Sequence, residues 1–198
     1  MADDVIDELL AILPGDRLDT VRRARTQARD NAQASYEALF EPVDAAEVSL
    51  VERHLVAQLV AGLSLEPLLT DFYRAGAVER GAAAEAAAVD AVIADAAGTS
   101  GPYGRYTEPG LAGEDTDGPR LAPIDGVGRR LGAAVAHAHL LVFRPREASR
   151  EALQRLLDAG WSTTGVVTLS QLIAFVSFQL RLIQGLGALQ SEIEGDVA

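Results

Sequence analysis

The chain is 198 residues long, 48% hydrophobic but only 5% aromatic, and carries a formal net charge of −12 with no cysteine. Crowding with Ala and Leu and few aromatics suits helices packed through small side chains, so an all-α fold is expected, in one domain with a sizeable core. The charge argues against a phosphate-backbone partner, and the lack of cysteine excludes disulfides, thiolate metal sites and thiol redox chemistry.

The acidic start, Met1 to Asp4, is unlike a basic signal peptide, and no apolar run free of polar groups reaches the ~18 to 20 residues of a membrane span. A cytoplasmic protein with no nucleic-acid or membrane partner is expected. Residues 3–13 place Val5, Ile6, Leu9, Leu10 and Leu13 at helical spacing, closed by Pro14 and Gly15. Residues 16–40 read as a longer, mostly polar helical segment stopped by Pro42. Its arginines, Arg17, Arg22, Arg23, Arg25 and Arg29, interleave with Asp16, Asp19 and Asp30, the pattern of a solvated, salt-bridged face rather than an anion site.

Ser49 and Glu52 form an S-x-x-E capping box, opening a helix to about Leu63 on which His54 and Gln58 share a face. A second helix starts near Glu66 and Pro67, and Glu66, Leu69 and Tyr73 again share one face. Residues 77–97 have high helix propensity and weak amphipathicity, predicting one Ala-rich helix. Gly98 to Gly128 holds too many Gly and Pro for regular structure, so a long loop, centred on 98–121, joins two helical halves of about 1–97 and 122–198.

Helical signal resumes from Arg129 to Phe143 and from Ser149 to Ala159, with Ser162 placed to cap a last, nearly all-apolar helix over 166–189. Such a helix is expected at the centre of the core. His137 and His139 stand two apart, about 200° around a helix, so they cannot chelate one metal together. No metal or cofactor site is expected.

ERHLVAQLVAGLS followed by LEPLLTDFY resembles the core helix pair of the alkylhydroperoxidase D-like and carboxymuconolactone decarboxylase superfamily. DAGWSTTGVVTLSQLIAFVSFQLRLIQGLGAL resembles the closing segment of its peroxidase-related members. The resemblance implies an alkylhydroperoxidase D-like bundle whose two halves share one core, and a homo-oligomer. The peroxidase branch carries Glu, Cys, Cys and His where this chain has His54, Glu66, Leu69 and Tyr73. Thiol-based peroxide reduction is therefore excluded.

A histidine, a carboxylate and a phenol remain at those positions, a set competent for proton transfer. One reading is a cofactor-free decarboxylase, lyase or isomerase acting on a small acidic substrate. In it His54 or Glu66 is general base, Tyr73 the proton donor or oxyanion partner, and Gln58 and Arg181 bind substrate. His54 and Glu66 are then expected to pair, raising the imidazole pKa against desolvation. The other reading is a non-catalytic relative that binds a small ligand or a thiol-bearing paralogue and serves as a structural subunit. There the trio is a satisfied polar cluster and Arg181 an internal ion pair or carbonyl cap. A solvent-connected pocket at His54 and Glu66 favours the first reading, and a sealed cluster the second.

Overall fold

A computed structural model describes residues 4–121, 124 and 126–195, with side chains of the last helix through Glu192. Among the described residues the chain forms nine α-helices and two short 3-10 turns, and pairs as β-structure only at the isolated bridge between Gly104 and Thr116. The all-α expectation holds. A single buried hydrophobic cluster runs from Val5 to Leu186.

The N-terminal region is three helices rather than two. Helix α1, Val5–Leu9, is shorter than the apolar spacing predicts, because Ala11 turns left-handed at φ 50 and the Ile12 amide returns to the Asp7 carbonyl at 2.8 Å. Helices α2, Arg17–Arg23, and α3, Thr26–Phe40, divide the segment read as continuous. The arginine face is solvated only in part: Arg17, Arg23 and Arg25 are exposed, whereas Arg22 and Arg29 turn inward. Arg22 is 6% exposed and meets Asp4 at 2.6 Å and Asp7 at 2.5 Å, the second contact off hydrogen-bond angle, while Arg29 reaches Asp7 at 2.5 Å. Only Arg23, paired with Asp19 at 2.7 Å, behaves as a surface i, i+4 bridge.

Helix α4, Leu50–Leu63, is the hub. Its capping box is formed, with Ser49 Oγ accepting from the Glu52 amide and the Glu52 carboxylate accepting from the Ser49 amide. Every residue from Arg53 to Leu63 is buried, because α5, α6, α7 and α9 all pack on it. Arg53 enters this core by donating to the carbonyls of Val48 at 2.9 Å and Leu39 at 2.7 Å. Helix α5, Pro67–Glu79, runs back along α4 and ends at Gly81, whose φ of 84 a side chain rarely adopts. The Ala-rich run is thus split: α5 keeps its first residues, and α6, Ala83–Asp95, begins after the glycine.

The Gly- and Pro-rich segment lies along the helices. The Tyr103 amide donates to the Phe143 carbonyl at 2.6 Å, and Arg146 covers the Tyr106 ring at 4.0 Å. Helices α7, Arg129–Phe143, and α8, Arg150–Asp158, follow as the spacing predicts, with Ser149 capping α8. Arg130 ties this half to the start of α4, pairing with Glu52 at 2.6 Å and stacking on Trp161 at 3.8 Å.

Helix α9, Thr163–Gly195, is longer than its apolar pattern suggests, and Ser162 Oγ accepts from the Gly165 amide at its start. It is not the centre of the core. Val176, Gln179 and Leu180 are buried, but Val167 and Phe178 are about half exposed. By length and composition alone Thr163–Glu192 could cross a membrane, with 44% of its most apolar window packed inside the protein.

Candidate functional site

The two helices that carry the candidate residues lie side by side, and their antiparallel course decides which residues meet. His54 stands near the start of α4 and faces Gly76, near the end of α5: a β-carbon on Gly76 would fall 2.1 Å from His54 Cδ2. Glu66 is at the other end of α5, ten residues or ~15 Å of helix away. His54 and Glu66 therefore do not pair. Glu66 is the half-buried N-cap of α5, and its side chain makes no capping bond; its carbonyl accepts from the Thr70 hydroxyl at 2.8 Å.

His54 is fixed from within its own helix. Its Nδ1 donates to the Leu50 carbonyl at 2.8 Å, since a carbonyl can only accept, which leaves Nε2 as the bare nitrogen facing Gly76. The ring stands edge-on to Phe40 at 5.2 Å and to Tyr73 at 6.2 Å. Burial holds the imidazole below its usual range, opposed by the Leu50 carbonyl, and nearby Arg80 pushes the same way as burial. Glu66, expected to raise it, does not act on the ring; Glu79 pushes it upward, the least of these influences.

Tyr73 is fully buried. Its ring stacks on Phe40 at 4.8 Å, and its hydroxyl donates to Gln179 Oε1 on α9. Burial pushes the phenol well above its ordinary range. Gln58, also fully buried, turns away toward α6, where its amide donates to the Ala86 carbonyl at 3.1 Å and to Asp90 at 2.7 Å; Asp90 in turn pairs with Arg74 of α5 at 2.8 Å. Arg181 is exposed, donates to the Ser177 carbonyl at 2.6 Å, and lines a cleft of about 490 Å³ with Ser64, Leu65 and Pro102.

His54 and Tyr73 thus share an aromatic cluster, while Glu66, Gln58 and Arg181 lie apart from it. Of these five, Arg181 lines a cleft, whereas His54, Tyr73, Glu66 and Gln58 line none of five clefts of about 310 to 560 Å³ among the described residues. Gln179 is the member of the cluster that the spacing did not single out. A glutamine inside the apolar run of α9 was the available signal, because a buried amide needs a partner.

The histidines make the fold sensitive to mild acid. Burial lowers the pKa of His54, His137 and His139 alike, with arginine neighbours adding to it. In the unfolded chain they protonate near ~6.5, so below that pH the unfolded state binds more protons and stability falls with pH. The thermal midpoint is expected to drop between pH 7.5 and 5.5. Carboxylates held low by arginines, such as Glu147, add their own loss only below ~4.5. A midpoint unchanged over that interval would show that the three imidazoles protonate as readily folded as unfolded.

No family model matches this chain, and no curated protein matches it.

Proposed function

We propose that this chain is a cysteine-free alkylhydroperoxidase D-like protein that retains the superfamily's helical architecture without chemistry at its active positions, and serves as a ligand-binding, structural subunit. The observation that carries this reading is the closed state of the His54 and Tyr73 cluster. A general acid must touch its substrate. The Tyr73 hydroxyl instead faces Gln179 in the core, its proton held by burial, and His54 lies among Phe40, Tyr73 and the α5 backbone at Gly76. In this reading the buried polar side chains set helix register: Tyr73 joins α5 to α9 and Gln58 joins α4 to α6. The outward face of α9, with Val167 and Phe178 half exposed, suits the homo-oligomer that the resemblance implies.

Tyrosine nitration followed by peptide mapping tests this reading. Tyr103 and Tyr106 are expected to react in the native protein, and Tyr73 only after unfolding. Native nitration of Tyr73 at a rate comparable to that of Tyr106 would return the cofactor-free enzyme to first place.

A further inference from the structure

Helix α7 presents an outward strip, Ala133, Ala136 and Leu140, in which Ala136 offers only a methyl group. His137 and His139 flank this strip on opposite sides, as residues two apart on a helix must. The wall beyond His137 is α8, with Ala152 and Arg155, and the wall beyond His139 is the chain at Arg120 and Leu121. Between them lies a cleft of about 350 Å³. The two histidines that cannot share a metal from one face thus line one cavity from its two sides.

The charge in this cleft is positive within a chain of net charge −12. Arg144 is committed: it chelates Glu147 and donates to the Gly118 carbonyl at 2.6 Å. Arg120 leans on the same Glu147 at 3.1 Å. Arg155 makes no ion pair among the described residues, although Glu151 lies close enough to feel its charge. His137 is only 5% exposed, and its Nδ1 has no hydrogen-bond partner. A buried polar atom without a partner at the wall of a cavity needs an explanation, and a ligand supplies one.

We propose that this cleft binds a small organic carboxylate with an apolar body, its carboxylate between Arg155 and His137 and its body against Ala133, Ala136, Leu140 and Leu121. This rests on the ligand-binding reading above and adds a site and a ligand class to it. One uncommitted guanidinium suits a single carboxylate, and the apolar strip rewards a hydrocarbon that inorganic phosphate lacks.

Binding takes up a proton. The Ser170 hydroxyl donates to the Val166 carbonyl at 2.9 Å, so toward His137 Nε2, 3.4 Å away, it acts as an acceptor. The neutral ring therefore carries its proton on Nε2 and presents a bare Nδ1, which must be protonated before it can donate to a carboxylate. Arg155 from α8 opposes that protonation in the empty cleft, Glu147 offsets one of the two charges of Arg144 and Arg120, and α9 faces the ring with the uncharged Ser170.

The test is titration of the full chain with sodium benzoate, followed by calorimetry and by histidine side-chain NMR. Saturable one-to-one binding is expected, with shifts at His137 and His139 and tighter binding at pH 6.0 than at pH 7.5. Arg155→Gln, an exposed change that leaves the core alone, is expected to weaken binding roughly tenfold or more. Arg150→Gln, exposed on the same helix but outside the cleft, is expected to bind as the unchanged chain does. Equal affinity in Arg155→Gln, or no saturable binding, overturns the proposal. Inorganic phosphate binding as tightly as benzoate overturns the ligand class. Benzoate that shifts His54 and leaves His137 unmoved overturns both this site and the closed-cluster reading, whereas native nitration of Tyr73 alongside shifts at His137 overturns only the latter.

Discussion

Replacing Arg22 by methionine is expected to lower the unfolding free energy by about 3 to 5 kcal/mol, the cost of leaving a buried charge without its partner. Helix α1 has five residues, too few to hold together alone, so its position depends on what it docks against. Asp4 Oδ1 is used three times, accepting from the Ile6 amide at 3.0 Å, the Asp7 amide at 3.1 Å and Arg22 Nη2 at 2.6 Å. Methionine keeps most of the apolar stem and removes the guanidinium. Two acidic side chains, Asp4 and Asp7, would then share Arg29, which is 3.4 Å from Asp4 and 2.5 Å from Asp7. The buried residues Val5 and Ile6 would lose their anchorage with them. Denaturant unfolding measures the loss, and Asp4→Asn in the Arg22→Met background should recover part of it. A loss below about 1 kcal/mol would mean that these ions behave like an exposed pair.

That network shows how far a linear pattern can be read. Interleaved Arg and Asp announce ion pairing, and pairing is what forms: Arg23 takes its neighbour Asp19, but the partners of Arg22 and Arg29 are Asp4 and Asp7 of another helix. Signals local in sequence translated well: the capping box at Ser49 and Glu52, Pro67 in the first turn of α5, and the cap at Ser162 each act within four residues. Gly81 was equally local, yet the propensity of the surrounding alanines masked it. Positive φ at residue 81 ends α5 where composition alone favours continuing.

Facing relations between helices carried less information. Spacing shows that Glu66 and Tyr73 share a face of α5, but not that the chain's reversal after α4 sets His54 against the far end of that face. The Arg155 cleft was hidden for the same reason, since its walls come from α7, α8 and residues 120–121, which only tertiary packing unites. Its one linear trace is the strip of Ala133, Ala136 and Leu140 at helical spacing, flanked by His137 and His139. Helix α9 looked central because it is apolar nearly all round; α4 outranks it because α5, α6, α7 and α9 all pack on it and bury every residue from Arg53 to Leu63.

Gly76 is where that close approach becomes testable, and Gly76→Ala is expected to destabilise the protein by about 1 to 3 kcal/mol through overpacking. Helix propensity argues the other way, since alanine is favoured over glycine by ~1 kcal/mol inside a helix. Geometry decides the sign. The new methyl carbon would lie 2.1 Å from His54 Cδ2 and 2.5 Å from Nε2. The ring cannot simply withdraw, because its Nδ1 is held by the Leu50 carbonyl at 2.8 Å and its flank meets Phe40 at 5.2 Å. Gly185→Ala, on α9 with nothing within 4 Å of the added carbon, is the control and is expected to stabilise by about 0.4 to 1 kcal/mol. His54→Ala alone should destabilise by opening a cavity, whereas His54→Ala with Gly76→Ala should lose less than the two separate losses combined, with a coupling of about 0.5 to 3 kcal/mol. The double-mutant cycle, read by denaturant unfolding, bears directly on function. Strong coupling means that the His54 ring has no room to move, so no substrate reaches Nε2 past Gly76. If Gly76→Ala proved neutral or stabilising, the ring would have space to swing, the cluster would not be closed, and acid–base chemistry at His54 would again be the better reading.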